Sequence, residues 1–191
     1  MHHPPKTLKS MALFLIATIL PHKIYSQNIF IGKDKSTIIT FYSDAPLEKI
    51  EAKNTSATPV FNTSTGDFQI RVPMSSFQFK NDLMKEHFNE NYVESEKYPY
   101  CVFKGKCDIT HFEEGKEYEA SMTGTMNLHG ITQNISVKGK IKKQNNELIL
   151  ESEFFIKPTD YNIQIPSLLT EKIAEQVKVT FQSTLVPYPK K

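Results

Sequence analysis

The chain has 191 residues, 39% of them hydrophobic and 23% charged, enough apolar content for one globular core and too much for a disordered chain. Two cysteines exclude a disulfide-dense scaffold. No apolar run reaches the roughly 18 residues that a membrane-spanning helix needs, and no internal repeat of a solenoid or propeller is visible.

The first 26 residues stand apart from the rest of the chain. Lys6 and Lys9 precede the ten-residue apolar run from Met11 to Leu20, Pro21 breaks it, and the small residue Ser26 comes six positions later. This basic, apolar, small-residue order is that of a secretory signal peptide. The expectation is therefore a signal peptide over 1–26 and a mature domain over 27–191, in the periplasm or secreted. No cysteine lies near the cut, so a lipid anchor has no acceptor there. Removing Lys6, Lys9 and Lys23 from the 23 basic residues leaves 20 against 21 acids, a net charge of −1. With Arg71 as its sole arginine, the domain lacks the basic stripe of a nucleic-acid binder, and neither nucleic acid nor a permanent membrane anchor is expected as partner.

From residue 37 on, the dominant signal is alternation with period two. Weak strands fit 37–42 and 48–53; Phe68, Ile70 and Val72 alternate with polar neighbours. Leu83, Met84, His87, Phe88 and Tyr92 fall at helical spacing instead, with Asn81 or Asp82 as N-cap, which predicts a short helix near 82–90. Alternation resumes over 100–109, 118–128, 135–142, 148–156 and 177–185, and a second helical turn fits 167–174. His129-Gly130 and Asn145-Asn146 supply hairpin turns that tolerate positive φ. The predicted fold class is all-β: eight antiparallel strands in a closed barrel or a sandwich, with one short helix between the third and fourth.

A barrel of about eight strands is either filled by its own side chains or holds one small ligand. Gly105, Ala120, Gly124, Gly139, Ser152 and Ser183 are small residues on the inward parity. They either leave volume for a ligand or mark the bends that barrel strands need. The candidate lining of a cavity is Phe41, Phe68, Ile70, Phe103, Ala120, Met122, Gly124, Met126, Val137, Phe154, Val179 and Phe181. Methionines suit a wall that adapts to a flexible chain. A charged head, where a ligand carries one, would meet Lys80, Lys85 and Lys97 beside the helix.

Chemical motifs are sparse. There is no nucleophile elbow, phosphate-binding loop or zinc-protease motif, and no metal or cofactor is expected. His111 and His129 are expected to face solvent, and His87 to support the helix. Cys101 and Cys107 lie six apart on one strand, about 20 Å at 3.3 Å per residue, so they are read as buried free thiols rather than a disulfide.

Three segments together resemble the YceI-like family. They are the run from Met84 to Tyr92 with Lys97-Tyr98-Pro99 and Phe103 after it, the strand end Gly124-Thr125-Met126-Asn127-Leu128-His129-Gly130-Ile131-Thr132, and Lys157-Pro158-Thr159-Asp160-Tyr161-Asn162. They cover most of residues 37–185 in the family's order. The resemblance implies an extended lipocalin-like barrel that binds a long apolar molecule, a polyisoprenoid, isoprenoid quinone or similar lipid, in the periplasm. Where many members carry His-x-Gly after the first strand, this chain reads Ser43-Asp44-Ala45-Pro46. The expected protein is thus a lipid-binding module and not an enzyme, and a homodimer is left open. Two competing readings are an enzyme or stress factor using His87 or His129 for proton transfer in the same pocket, and a structural barrel with a filled core.

Overall fold

The computed structural model describes residues 28–166 and 171–189. The signal peptide expected over 1–26, and Ser167–Thr170 of the second expected helical turn, lie outside the described residues. Eleven strands are described: β1 (Ile29–Gly32), β2 (Ile38–Asp44), β3 (Lys49–Asn54), β4 (Thr58–Asn62), β5 (Asp67–Pro73), β6 (Gln78–Phe79), β7 (Tyr100–Cys107), β8 (Glu117–Leu128), β9 (Ile131–Gln144), β10 (Glu147–Ile156) and β11 (Val177–Pro187).

They amount to eight long strands, three of them broken. β1 and β2 both run along β11, with a turn at 33–37 between them. β4 and β3 lie beside them in the same way, broken at 55–57. β5 and β6 come next, broken by the 3-10 turn Met74–Ser76. β7 to β11 then form an antiparallel meander, and pairing of β1 with both β4 and β11 closes the barrel. The expected closed eight-stranded barrel is therefore what forms.

The three breaks lie side by side and make a seam across one wall. Buried polar side chains bridge the breaks. Asn54, fully buried, donates from Nδ2 to the Pro73 carbonyl at 2.8 Å and accepts from the Ser56 amide at 2.8 Å. Thr37 and Ser183 share a buried hydroxyl hydrogen bond of 2.8 Å across the first break. On one side of the seam the barrel is plugged by Phe30, Phe61, Phe112, Leu148 and Leu185, all buried. Phe61 packs edge-to-face against Phe68 and Phe112, each at 5.9 Å.

The other end is covered by the helical insertion. Asn81 caps helix α1 (Asp82–His87), its Oδ1 accepting from the amides of Leu83 at 2.8 Å and Met84 at 3.4 Å. The chain then widens into a π-helical turn, Phe88–Tyr92, closed by the Val93 amide on the Phe88 carbonyl. The predicted helix is thus present, with its last turn π rather than α. Of the second expected helical turn, the described part from Glu171 forms turns and bends, and the Ala174 amide docks on Ser43 Oγ at 2.8 Å. An unexpected 3-10 turn, Pro158–Tyr161, comes after β10.

Candidate functional site: an apolar cavity under a helical lid

Between the plug and the helical lid lies a cavity of about 590 Å³, within the roughly 300–1,000 Å³ range of small-molecule sites. Its walls are almost wholly apolar. Eleven of the twelve expected residues line it: Phe41, Phe68, Ile70, Phe103, Ala120, Met122, Met126, Val137, Phe154, Val179 and Phe181. The core is therefore filled at one end only, and a fully packed barrel is not what this chain builds.

Gly124 is the exception. It pairs with Gly105 on the neighbouring strand, and a β-carbon there would stand 2.1 Å from the Lys104 carbonyl oxygen and 2.3 Å from the Gly105 α-carbon. Gly124 serves close backbone approach and not cavity volume, so a larger residue there would break the β7–β8 contact instead of filling the pocket. Gly139, by contrast, does line the cavity.

Parity alone also selects further wall residues, since Ile39, Val72, Ile135 and Ile156 share the inward faces of their strands. The lid is harder to read. Phe88 of the π turn stacks on Phe41 at 5.4 Å and contacts Phe77 at 5.6 Å and Phe79 at 5.1 Å. These four rings roof the cavity, and Phe77 and Phe79 lie on or beside the two-residue β6, which is too short for alternation to register. Lys172 and Ile173 reach the cavity from the segment before β11. Lys80, Lys85 and Lys97 do not line it; Lys97 instead sits 3.9 Å from Glu94.

The histidines separate. His111 is exposed and His87 lies at the lid edge of the cavity. His129 does not face solvent as expected but is buried, with 9% of its surface exposed. Its Nδ1–H donates to the Tyr161 carbonyl at 3.0 Å, and Nε2 meets Glu94 Oε2 at 2.7 Å. The Tyr98 ring packs edge-on at 4.6 Å. Glu94, His129 and Asn162 all hold positive φ here, at 44°, 51° and 57°, conformations kept by non-glycine residues only where surroundings enforce them. This node ties the lid segment, the β8–β9 hairpin and the turn after β10 together. It stands outside the cavity wall, so the three signature segments meet at a clasp rather than at a reacting group.

Cys101 and Cys107 are both free. Cys101 keeps some surface, but it faces the cavity, and burial pushes its thiol up to about 12 from an ordinary 9.0. Burial also raises Cys107. A thiolate is the reactive form, so the folded protein is expected to leave both thiols unlabelled by a maleimide at pH 8, while the denatured, unreduced chain takes up two equivalents. The raised value has a stability consequence. The folded state resists losing this proton, so stability is intact below about pH 9 and falls as pH rises from there towards 12. Cys101→Ala is expected to flatten that alkaline slope in chemical denaturation; an unchanged slope would remove Cys101 as its source.

Among the described residues no helix is long and apolar enough to cross a membrane. The YceI-like domain model matches residues 33–185. No curated protein sequence matches the chain. Several solved structures share the fold. A polyisoprenoid binding domain from Saccharophagus degradans is 14% identical, covering 84% of this chain and 99% of its own, with a TM-score of 0.75. Burkholderia cenocepacia BcnA is 15% identical, with 81% and 99% coverage and a TM-score of 0.68. A YCEI protein from Campylobacter jejuni is 15% identical, with 96% and 100% coverage and a TM-score of 0.54.

Proposed function

The chain belongs to the YceI-like family, and on that premise we propose that it is an exported binding protein that holds the apolar chain of an isoprenoid or similar lipid inside its barrel. The observation that carries this reading is the apolar-walled cavity of about 590 Å³ beneath a phenylalanine roof. Apolar volume without an occupant is disfavoured in protein interiors, and an apolar chain recovers about 0.8 kcal/mol per buried methylene before the costs of association. A five-carbon isoprene unit therefore contributes a few kcal/mol at most, and chain length sets affinity until the cavity is full. Retention of this kind needs no reacting group. Near the cavity, burial raises the Cys101 thiol and His129 is tied into the clasp outside the wall, while His87 stands exposed at the lid edge. The polyisoprenoid binding domain of Saccharophagus degradans shares the fold, which supports the ligand class.

Export rests on the basic, apolar and small-residue order of 1–26. Native mass spectrometry of protein purified from its own host tests both parts. An added mass of several hundred daltons that organic extraction removes is the expected result, on a chain that begins at Gln27. A bare chain after gentle isolation counts against the binding reading, and an intact Met1 counts against export.

A further inference from the structure

The barrel wall has an opening on the side away from the seam. β9 and β10 pair from Gln144↔Glu147 up to Gly139↔Ser152 and no further. Beyond that point β9 stays with β8 down to Leu128↔Ile131, while β10 stays with β11 up to Ile156↔Val177. The two strands thus diverge. The far end of the divergence is tied by a side chain: Gln133 Nε2 donates to the Asp160 carbonyl, on the 3-10 turn after β10, at 2.8 Å. Between the last ladder pair and this tie lies a second space of about 170 Å³. Met126, Ile135, Val137, Phe154 and Ile156 line both it and the large cavity, which places it in the wall directly beside that cavity.

Its chemistry differs from that of the cavity. The remaining lining includes Gln133, Asn134, Ser136, Lys157 and Asp160. One cation and one carboxylate offset each other, and the rest are the two amides, the Ser136 hydroxyl and the aromatic side chains of Phe155 and Tyr161. The facing strand edges, unpaired with each other, add backbone donors and acceptors at the rim. A diphosphate would call for a cluster of cationic donors, which this rim lacks. An uncharged hydrogen-bonding group would find partners here, while its chain lay among the five shared apolar residues.

We propose that the opening between β9 and β10 is the site of the ligand's polar end, and that it takes an uncharged hydrogen-bonding head, such as a hydroxyl, on an apolar chain. This rests on the reading of the large cavity as a chain-binding site. The test uses three C20 probes with the same isoprenoid chain: geranylgeraniol, geranylgeranyl diphosphate and the corresponding hydrocarbon. Equilibrium dialysis against the mature protein and its variants reads their affinities. Gln133→Leu removes the amide and its tie, and is expected to weaken the alcohol about tenfold, the effect of one hydrogen bond lost with its partner left unsatisfied. The hydrocarbon should stay within twofold. Asn134→Leu, on the outer rim, repeats the measurement without cutting the tie, in case Gln133→Leu loosens the wall. Equal changes for alcohol and hydrocarbon in both variants, or none in either, would overturn the assignment while leaving chain binding intact. A parent protein that binds the diphosphate tenfold more tightly than the alcohol would overturn the uncharged head. If none of the three probes binds, the failure belongs to the chain-binding reading itself.

Discussion

Ala120→Phe is expected to leave a folded barrel that binds a C20 isoprenoid at least tenfold more weakly than the parent. Ala120 sits in the first half of β8, opposite Gly139 of β9, and both line the cavity. Its side chain is a single methyl with 6% of the residue exposed, so any larger group grows into the hollow rather than outward. A cavity of about 150 Å³ accommodates benzene, so one phenyl ring takes roughly a quarter of the 590 Å³ present. Displacing one isoprene unit forfeits about 4 kcal/mol of burial at 0.8 kcal/mol per carbon, well over the 1.4 kcal/mol that corresponds to tenfold. Because the ring enters existing space, the folding penalty should stay at or below the 1–3 kcal/mol usual for overpacking, about the size of a modest Tm shift. Ala120→Leu should fall between parent and Ala120→Phe in affinity. A folded Ala120→Phe protein with parental affinity would place the chain elsewhere in the molecule.

The physical reason that Ala120 serves this test and Gly124 does not also shows how far a sequence can be read. Alternation assigns a residue to a face, and for β7 to β11 it assigns the faces correctly, because these strands run for 8 to 14 residues without interruption. It does not report how closely two backbones approach. Gly124 and Gly105 share the inward face with Met122 and Phe103, yet their strands touch at the α-carbons, and no pattern of one strand alone can reveal that. The same limit explains the missing half-strands. β4 contains Pro59, a residue that argues against a central strand. Here its ring packs on Gly32 where β1 ends, 3.0 Å from where a β-carbon would stand. Breaks at 33–37, 55–57 and 74–77 cut three long strands and leave β1, β4 and β6 as pieces of 4, 5 and 2 residues, too short for period two to register. His129 escapes the pattern for a related reason: a hairpin turn is usually exposed, and the lid segment at Glu94 and Tyr98 together with the turn at Tyr161 buries this one.

Phe61→Ala is expected to produce the largest loss of stability of any single truncation in the plugged end, with no loss of ligand affinity in the molecules that remain folded. Phe61 is wholly buried, with 0% of its surface exposed. It lies on β4, paired across to Phe68 on one side and Phe30 on the other, and its ring is edge-on to Phe68 and Phe112 at 5.9 Å each. Removing a ring from such a site costs about 3–5 kcal/mol, the transfer loss plus the cavity left behind. The walls here are strands held in ladders on both sides, so they cannot collapse into the space, which favours the upper part of that range. For a domain of this size the change corresponds to a Tm lower by roughly 6–20 °C. Phe61 does not line the 590 Å³ cavity. Affinity measured well below the new Tm should therefore match the parent, which separates the plug that holds the barrel together from the hollow that takes the ligand. Phe88→Ala is the reverse case: it removes the roof ring that touches Phe41, Phe77 and Phe79, and should speed ligand exchange at a smaller cost in Tm. Should Phe61→Ala bind less tightly while melting like the parent, the division of the barrel into a structural end and a binding end would be wrong.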